Sequence, residues 1–167
     1  MDVAGSVLTN AAGTSAGDYD ERFALMRPRL LAIARSLAGP DVAEDIVHDT
    51  YLRGRERIGQ LRQTTAFDAW LARIAVNASY NHHRGLRRFV AEAPLLVATP
   101  PGGELRDVGL RELIERLPPR HRTVVVLHYG HGYRLDEIGV ILGLTHTNVR
   151  SIVRRARKRL AAQWGPA

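Results

Sequence analysis

Phe67, Trp70, Leu71, Ile74, Ala75 and Ala78 recur at i, i+3, i+4, i+7, i+8 and i+11, a series that shares one face only on an α-helix. The same spacing returns along most of the chain. Phe23, Met26, Leu30, Ile33, Ala34 and Leu37 predict a helix from Tyr19 to about Leu37, with Pro28 either kinking it or marking the start of its main part. Gly39-Pro40 breaks the chain, and Asp41 with Glu44 three residues on has N-cap spacing for a second helix running to about Ile58. Its apolar side comprises Val42, Ile46, Val47 and Leu52. A polar loop, Gly59 to Thr65, precedes the third helix, where Thr65 and Asp68 again have cap spacing and the helix continues to near Arg88. Leu110, Leu113, Ile114 and Leu117 mark a short helix ended by Pro118-Pro119. The run Val124 to Leu127 could be a strand on propensity, but Pro119 suits a first helical turn and Gly130 and Gly132 suit its end. Two more helices follow, Arg134 to Leu142 and about Thr145 to Gln163, the last with Val149, Val153, Ala156 and Leu160 on its buried face. The chain reads as all-α.

Two aperiodic stretches divide it. Residues 1–17 are small and polar and read as a disordered leader. Residues 91–109 hold three of the eight prolines and three of the 15 glycines, which makes them a flexible linker. Two small helical domains result, 18–90 and 110–164.

Charge separates these domains more sharply than shape does. Residues 1–109 hold 13 bases and 13 acids, whereas residues 110–167 hold 11 bases and 4 acids, so the C-terminal third carries the whole net charge of +7. A surface built to face a polyanion is implied. Of the 24 bases 23 are arginine, which suits bidentate contacts to phosphate and guanine and is equally the product of a GC-rich codon usage. Zero cysteines exclude disulfides, thiolate metal sites and cysteine nucleophiles. No apolar run reaches the roughly 18 residues of a membrane span and the N-terminus lacks a secretory layout, so a cytoplasmic location without membrane insertion is expected.

The last two helices, joined by a tight turn at Gly143 with Thr145 placed to cap the second, have helix-turn-helix proportions. In that motif the second helix enters the major groove. The outward positions at its start are His146, Thr147, Asn148, Arg150, Ser151, Arg154 and Arg155, and six of the ten residues from Arg150 to Arg159 are basic. Such a face can pair with phosphates and base edges; the bland reading is a solvated helix in a bundle.

At these residues a family resemblance emerges. The segment LPPRHRTVVVLHYGHGYRLDEIGVILGLTHTNVRSIVRRARKRL resembles the minus-35-binding domain of the extracytoplasmic-function (ECF) sigma factors of bacterial RNA polymerase. Upstream, RPRLLAIARSLAGPDVAEDIVHDTYLR and FDAWLARIAVNASYNHHR look like the family's N-terminal domain, which grips core polymerase and melts the minus-10 element. The resemblance covers about 140 of the 167 residues, with both blocks in order. It implies that Glu44, Asp45, Asp49, Leu52 and Arg53 dock on core polymerase. It also implies that the loop carrying Gln60, Arg62, Gln63 and Thr64 receives a flipped minus-10 base, for which a polar pocket is needed. Arg73, Asn77, Asn81, Arg84, Arg87 and Arg88 suit opened DNA, where phosphates and base faces are both reachable; a half-buried structural amide is the other reading of Asn77. Trp70 matches the family's Ala-Trp-Leu motif, and its place on the apolar stripe makes it a core anchor. Core polymerase, promoter DNA and an anti-sigma factor are the implied partners, and no cofactor is implied.

The sequence departs from the family at Gly54-Arg55, where a Leu-Trp type pair is common, and at Ile152, where a basic residue is common. The first departure is expected to alter core docking, the second to remove a phosphate contact. Seven histidines, His82-His83 and His128 with His131 among them, invite a metal reading, but no clustered carboxylates or cysteines complete a site. His48 beside Asp49 lacks a nucleophile turn or phosphate cradle, so no enzyme activity is indicated. The expected function is an ECF-type sigma factor, with a stand-alone helix-turn-helix regulator and a helical protein-binding adaptor as rivals.

Overall fold

The computed structural model describes residues 16–61, 66–89 and 108–163, with side chains described for 17–61, 66–82 and 109–163. Seven helices are described: α1 (Ala16–Ala38), α2 (Pro40–Arg57), α3 (Phe67–Phe89), α4 (Val108–Glu115), α5 (Pro119–Val125), α6 (Leu135–Leu142) and α7 (His146–Gln163). There is no strand among the described residues.

α1 begins at Ala16, two residues inside the segment expected to be a leader, and runs unbroken through Pro28. The expected cap pair at the start of α2 does not form. Pro40 occupies the first turn after Gly39, whose φ of 96° is accessible to glycine at little cost, and Glu44 instead pairs with Arg27 of α1 at 2.6 Å. Leu52 is a second correction, since it stands 46% exposed rather than joining the apolar side of α2. The loop residues 62–65, including the Thr65 cap position, lie outside the described residues.

α1, α2 and α3 enclose the first core. Tyr19, Phe23, Leu30, Ile46, Phe67, Leu71 and Ala75 are buried there, and Trp70 packs against them half-exposed beside the Phe67 ring. Gly54 has a specific part in this core. A Cβ at that position would collide with the Tyr19 hydroxyl, which donates to the Tyr51 carbonyl at 2.9 Å. Burial, the largest cause, raises the Tyr19 pKa, with smaller contributions from Tyr51 and Asp20. Arg55 next door donates to the Tyr51 hydroxyl at 2.6 Å, and Tyr51 donates to Asp20 at 2.9 Å. The Gly54-Arg55 departure from the family thus has a local cause: Tyr19 of α1 fills the space over the glycine, and the arginine ties the end of α2 to the start of α1.

In the C-terminal domain α5 opens with Pro119 and the chain then widens into a π-helical turn, Val126–Gly130. The valine run is therefore helical, as Pro119 and the glycines predict. The buried Arg122 side chain donates to the carbonyls of Ile114 and Leu117 at 3.3 and 3.2 Å and to that of Glu115, so one guanidinium closes the end of α4. Ile152 is only 7% exposed and packs with Val149 and Val153 under α7. It serves the core there, which explains the absence of a basic residue.

The two domains share a second core. Ile33 and Leu37 of α1 and Ala72 and Val76 of α3 are buried together with Val124, Leu127, Tyr133, Ile138 and Ile141 of the C-terminal domain. α3 thus buries two stripes, one inward and one against α6. Polar contacts edge this seam: Tyr80 donates to the Pro119 carbonyl at 3.0 Å and meets the Thr123 hydroxyl, and Arg29 donates to the His131 carbonyl at 3.1 Å.

Candidate nucleic-acid interface

α6 and α7 meet at a turn whose geometry is set by two glycines. Gly143 closes α6 at φ 66°, a left-handed conformation that favours glycine. One turn earlier, a Cβ on Gly139 would lie 2.7 Å from the Leu144 carbonyl oxygen. Only a bare Cα lets the turn fold back this closely, and the Leu144 N–H then donates to the Gly139 carbonyl at 2.8 Å. Thr145 caps α7 as its position predicts, its hydroxyl accepting from the Asn148 N–H at 3.2 Å.

This scaffold holds the start of α7 in solvent. His146, Thr147, Asn148, Arg150, Arg154 and Arg155 are exposed and Ser151 is half-buried, while Val149, Ile152, Val153 and Ala156 bind the opposite face to the domain. The exposed N-terminal turn also offers unpaired backbone N–H groups and the positive end of the helix dipole, both suited to phosphate. α5 adjoins the basic face of α7 without adding a charge to it: burial first, and then the cations Arg159 and Arg155, lower the pKa of His121 and so favour its neutral form. Chain spacing gave no sign of this, because 34 residues separate His121 from Arg155.

The second set of predicted DNA contacts lies on α3. Arg73, Asn77 and Asn81 are exposed along one strip at four-residue spacing, so Asn77 is not a buried structural amide. The side chains of Arg84, Arg87 and Arg88 lie outside the described residues, as do Arg62, Gln63 and Thr64, while Gln60 is exposed at the end of a short 3-10 turn. Arg73 reaches toward the helix-turn-helix: its Nη2 lies 3.8 Å from where a Cβ on Gly143 would be.

The predicted docking residues share the outer half of α2. Glu44, Asp45 and Leu52 are exposed, and Asp49 and Arg53 are half-buried and bonded to each other at 2.8 Å. Ala43, Ile46, Val47 and Thr50 take the inner half. The exposed pair Arg27–Glu44 and the partly exposed pair Asp49–Arg53 contribute little to stability, typically under about 1 kcal/mol each. Among the described residues no group of three or more His, Asp or Glu side chains converges as a metal site. His128 and His131 are used locally instead, by the Tyr133 carbonyl at 2.8 Å and the Ser36 hydroxyl at 3.1 Å.

Fold and surface together define a two-domain, all-helical protein with a basic helix-turn-helix at one end. The Sigma-70 region 2 family model matches residues 23–89 and the Sigma-70 region 4 model matches residues 108–160. The chain is 31% identical over 142 residues to the "ECF RNA polymerase sigma factor EcfG" of Rhodopseudomonas palustris, covering 81% of this chain and 78% of the relative. It is 30% identical to the "Probable RNA polymerase sigma factor RfaY" of Xanthomonas campestris pv. campestris, covering 76% of this chain but spanning 34% of that longer protein. Among solved structures it is similar to the sigma factor RpoE in complex with the anti-sigma factor NepR from Bartonella quintana, with a TM-score of 0.73, 25% identity, and coverage of 89% of this chain and 97% of that one. The chain belongs to the ECF sigma factors of RNA polymerase, which are transcription initiation factors. No helix among the described residues is long and apolar enough to cross a membrane.

Proposed function

We propose that this sigma factor directs core RNA polymerase to promoters by reading two DNA elements with its two domains. The exposed face of α7, His146 to Arg155, reads the minus-35 duplex in the major groove. The strip Arg73, Asn77, Asn81, with Arg84, Arg87 and Arg88 further along α3 and Gln60 to Thr64 in the preceding loop, captures and opens the minus-10 element. Glu44, Asp45, Asp49, Leu52 and Arg53 dock on core polymerase, where an exposed leucine on a helix that also presents Glu44 and Asp45 suits a partner with a basic, partly apolar surface. The polymerase supplies the chemistry and the sigma factor makes and breaks no bond. It acts in the cytoplasm, under an anti-sigma factor. Linking two weak contacts through one chain makes the second effectively intramolecular, so neither domain need hold DNA tightly alone.

The capped α7, with one face buried and the opposite one basic and exposed, is the observation that carries this reading. Run-off transcription with purified core polymerase on fragmented genomic DNA tests it. New starts preceded by two shared elements at fixed spacing are expected. No new starts and no co-elution with core would shift the weight to a stand-alone regulator, which would bind paired half-sites as a dimer without polymerase. Arg154→Ala should weaken minus-35 binding by about 1–3 kcal/mol with relaxed sequence preference. Equal loss on every sequence would reduce Arg154 to a phosphate contact.

A further inference from the structure

The seam between the domains contains a histidine in an unusual setting. His131 follows the π-helical turn and inserts toward α1, where its Nε2 lies 3.1 Å from the Ser36 hydroxyl. Ser36 is 4% exposed, and its own proton goes to the Ala32 carbonyl at 2.9 Å. The imidazole must therefore donate from Nε2, which leaves Nδ1 as the site for any second proton. Beside it, the Arg29 guanidinium bonds the His131 carbonyl at 3.1 Å and lies 4.0 Å over the Tyr133 ring. A second proton on His131 would thus place a new positive charge on a half-buried ring beside the exposed Arg29 guanidinium.

We infer that His131, Ser36 and Arg29 form an acid-sensitive clasp: neutral His131 holds the C-terminal domain against α1 and α3, and its protonation releases that domain. Burial first, and then Arg29, lower the pKa of His131 below its ordinary value of 6.5. The other charged and titratable groups at the seam are Asp68 of α3 and Glu137 of α6, which act on Tyr133, Arg73 and Tyr80 of α3, which face Gly143 and Thr123, and His128, whose Nδ1 meets the Tyr133 carbonyl. None of these pairs with His131, and neither carboxylate contributes to its shift. In the open form the imidazole meets water and regains its ordinary affinity for protons. The closed form is therefore fully favoured above about pH 6.5 and loses ground as pH falls below it, by at most about tenfold in the closed-to-open ratio per pH unit for one proton.

What opening releases follows from the preceding functional reading, on which this part of the inference rests. Arg73, assigned there to the minus-10 element, abuts the helix-turn-helix turn in the closed form, and parting the domains frees it. The clasp itself rests only on the seam geometry and is measured without DNA or polymerase.

The full chain has no cysteine, so Leu25→Cys and Ala161→Cys introduce a unique pair for fluorophores at exposed positions of α1 and α7. Single-molecule energy transfer on this chain, with small-angle scattering on the unlabelled protein, reports the closed fraction at pH 7.5 and 5.5, and circular dichroism verifies that the helices persist. A more expanded, low-transfer population should grow several-fold at pH 5.5. His131→Gln keeps a donor for Ser36 but cannot charge, and should remove that growth while retaining His121 and His128. Ser36→Ala should enlarge the expanded population already at pH 7.5. An unchanged distribution in the parent protein, an acid response surviving in His131→Gln, or a Ser36→Ala distribution matching the parent at pH 7.5 would each overturn the clasp. Failed run-off transcription beside a normal acid response would overturn only the functional reading.

Discussion

α3 and α7 are the two long amphipathic helices assigned to DNA, and they are built differently. α7 buries a single stripe, Val149, Ile152, Val153 and Ala156, and leaves the rest to solvent. α3 buries Phe67, Leu71, Ala75 and Ala78 inward and a second set, Ala72 and Val76, against the C-terminal domain. A helix with one apolar stripe belongs to one domain and presents its other faces freely. A helix with two joins domains, and its polar strip is confined to what remains.

Leu71→Ala should cost the most, about 2–5 kcal/mol in chemical denaturation, because a fully buried leucine leaves a cavity in the first core. Val76→Asp, on the seam stripe, should cost about 1–3 kcal/mol and should chiefly part the domains, since the charge escapes burial once they separate. Scattering at neutral pH would show expansion with helicity retained; equal collapse of helicity in both variants would mean that the stripes serve one indivisible core. Thr145→Ala is the mildest, about 1 kcal/mol for a lost N-cap. It should fray α7 and weaken minus-35 binding while leaving α3 untouched, and an effect on the energy-transfer distribution would couple the two helices more closely than the geometry does.

Periodicity reveals large side chains at regular steps, which is why all seven helices, the Thr145 cap and the exposed face of α7 were legible in the sequence. It misses what small residues do. Ala72 and Val76 resemble neutral helix filler until a second surface lies against them, and Gly54 looks like a defect until Tyr19 is placed over it. Gly139 is likewise silent in the chain, because its need for a bare Cα depends on a carbonyl five residues later. Leu52 is misplaced by type, since a leucine expected on the apolar side of α2 stands exposed, whereas Ile152, at a position often basic in the family, turns inward. In both cases the angular position on the helix decides the outcome. The adjacency of His121 to Arg155 and Arg159 is tertiary and leaves no trace in local spacing.

Arg122 gives the C-terminal domain its cooperativity. α4 has eight residues and α5 seven, both too short to persist alone in water. The carbonyls at the end of α4 are satisfied by a side chain that exists in place only once α5 has formed and docked. Neither helix can therefore melt without orphaning the other's polar groups. Amide protons in α4 and α5 should exchange with deuterium in a single step, at a common rate, although α4 itself buries little of the main core.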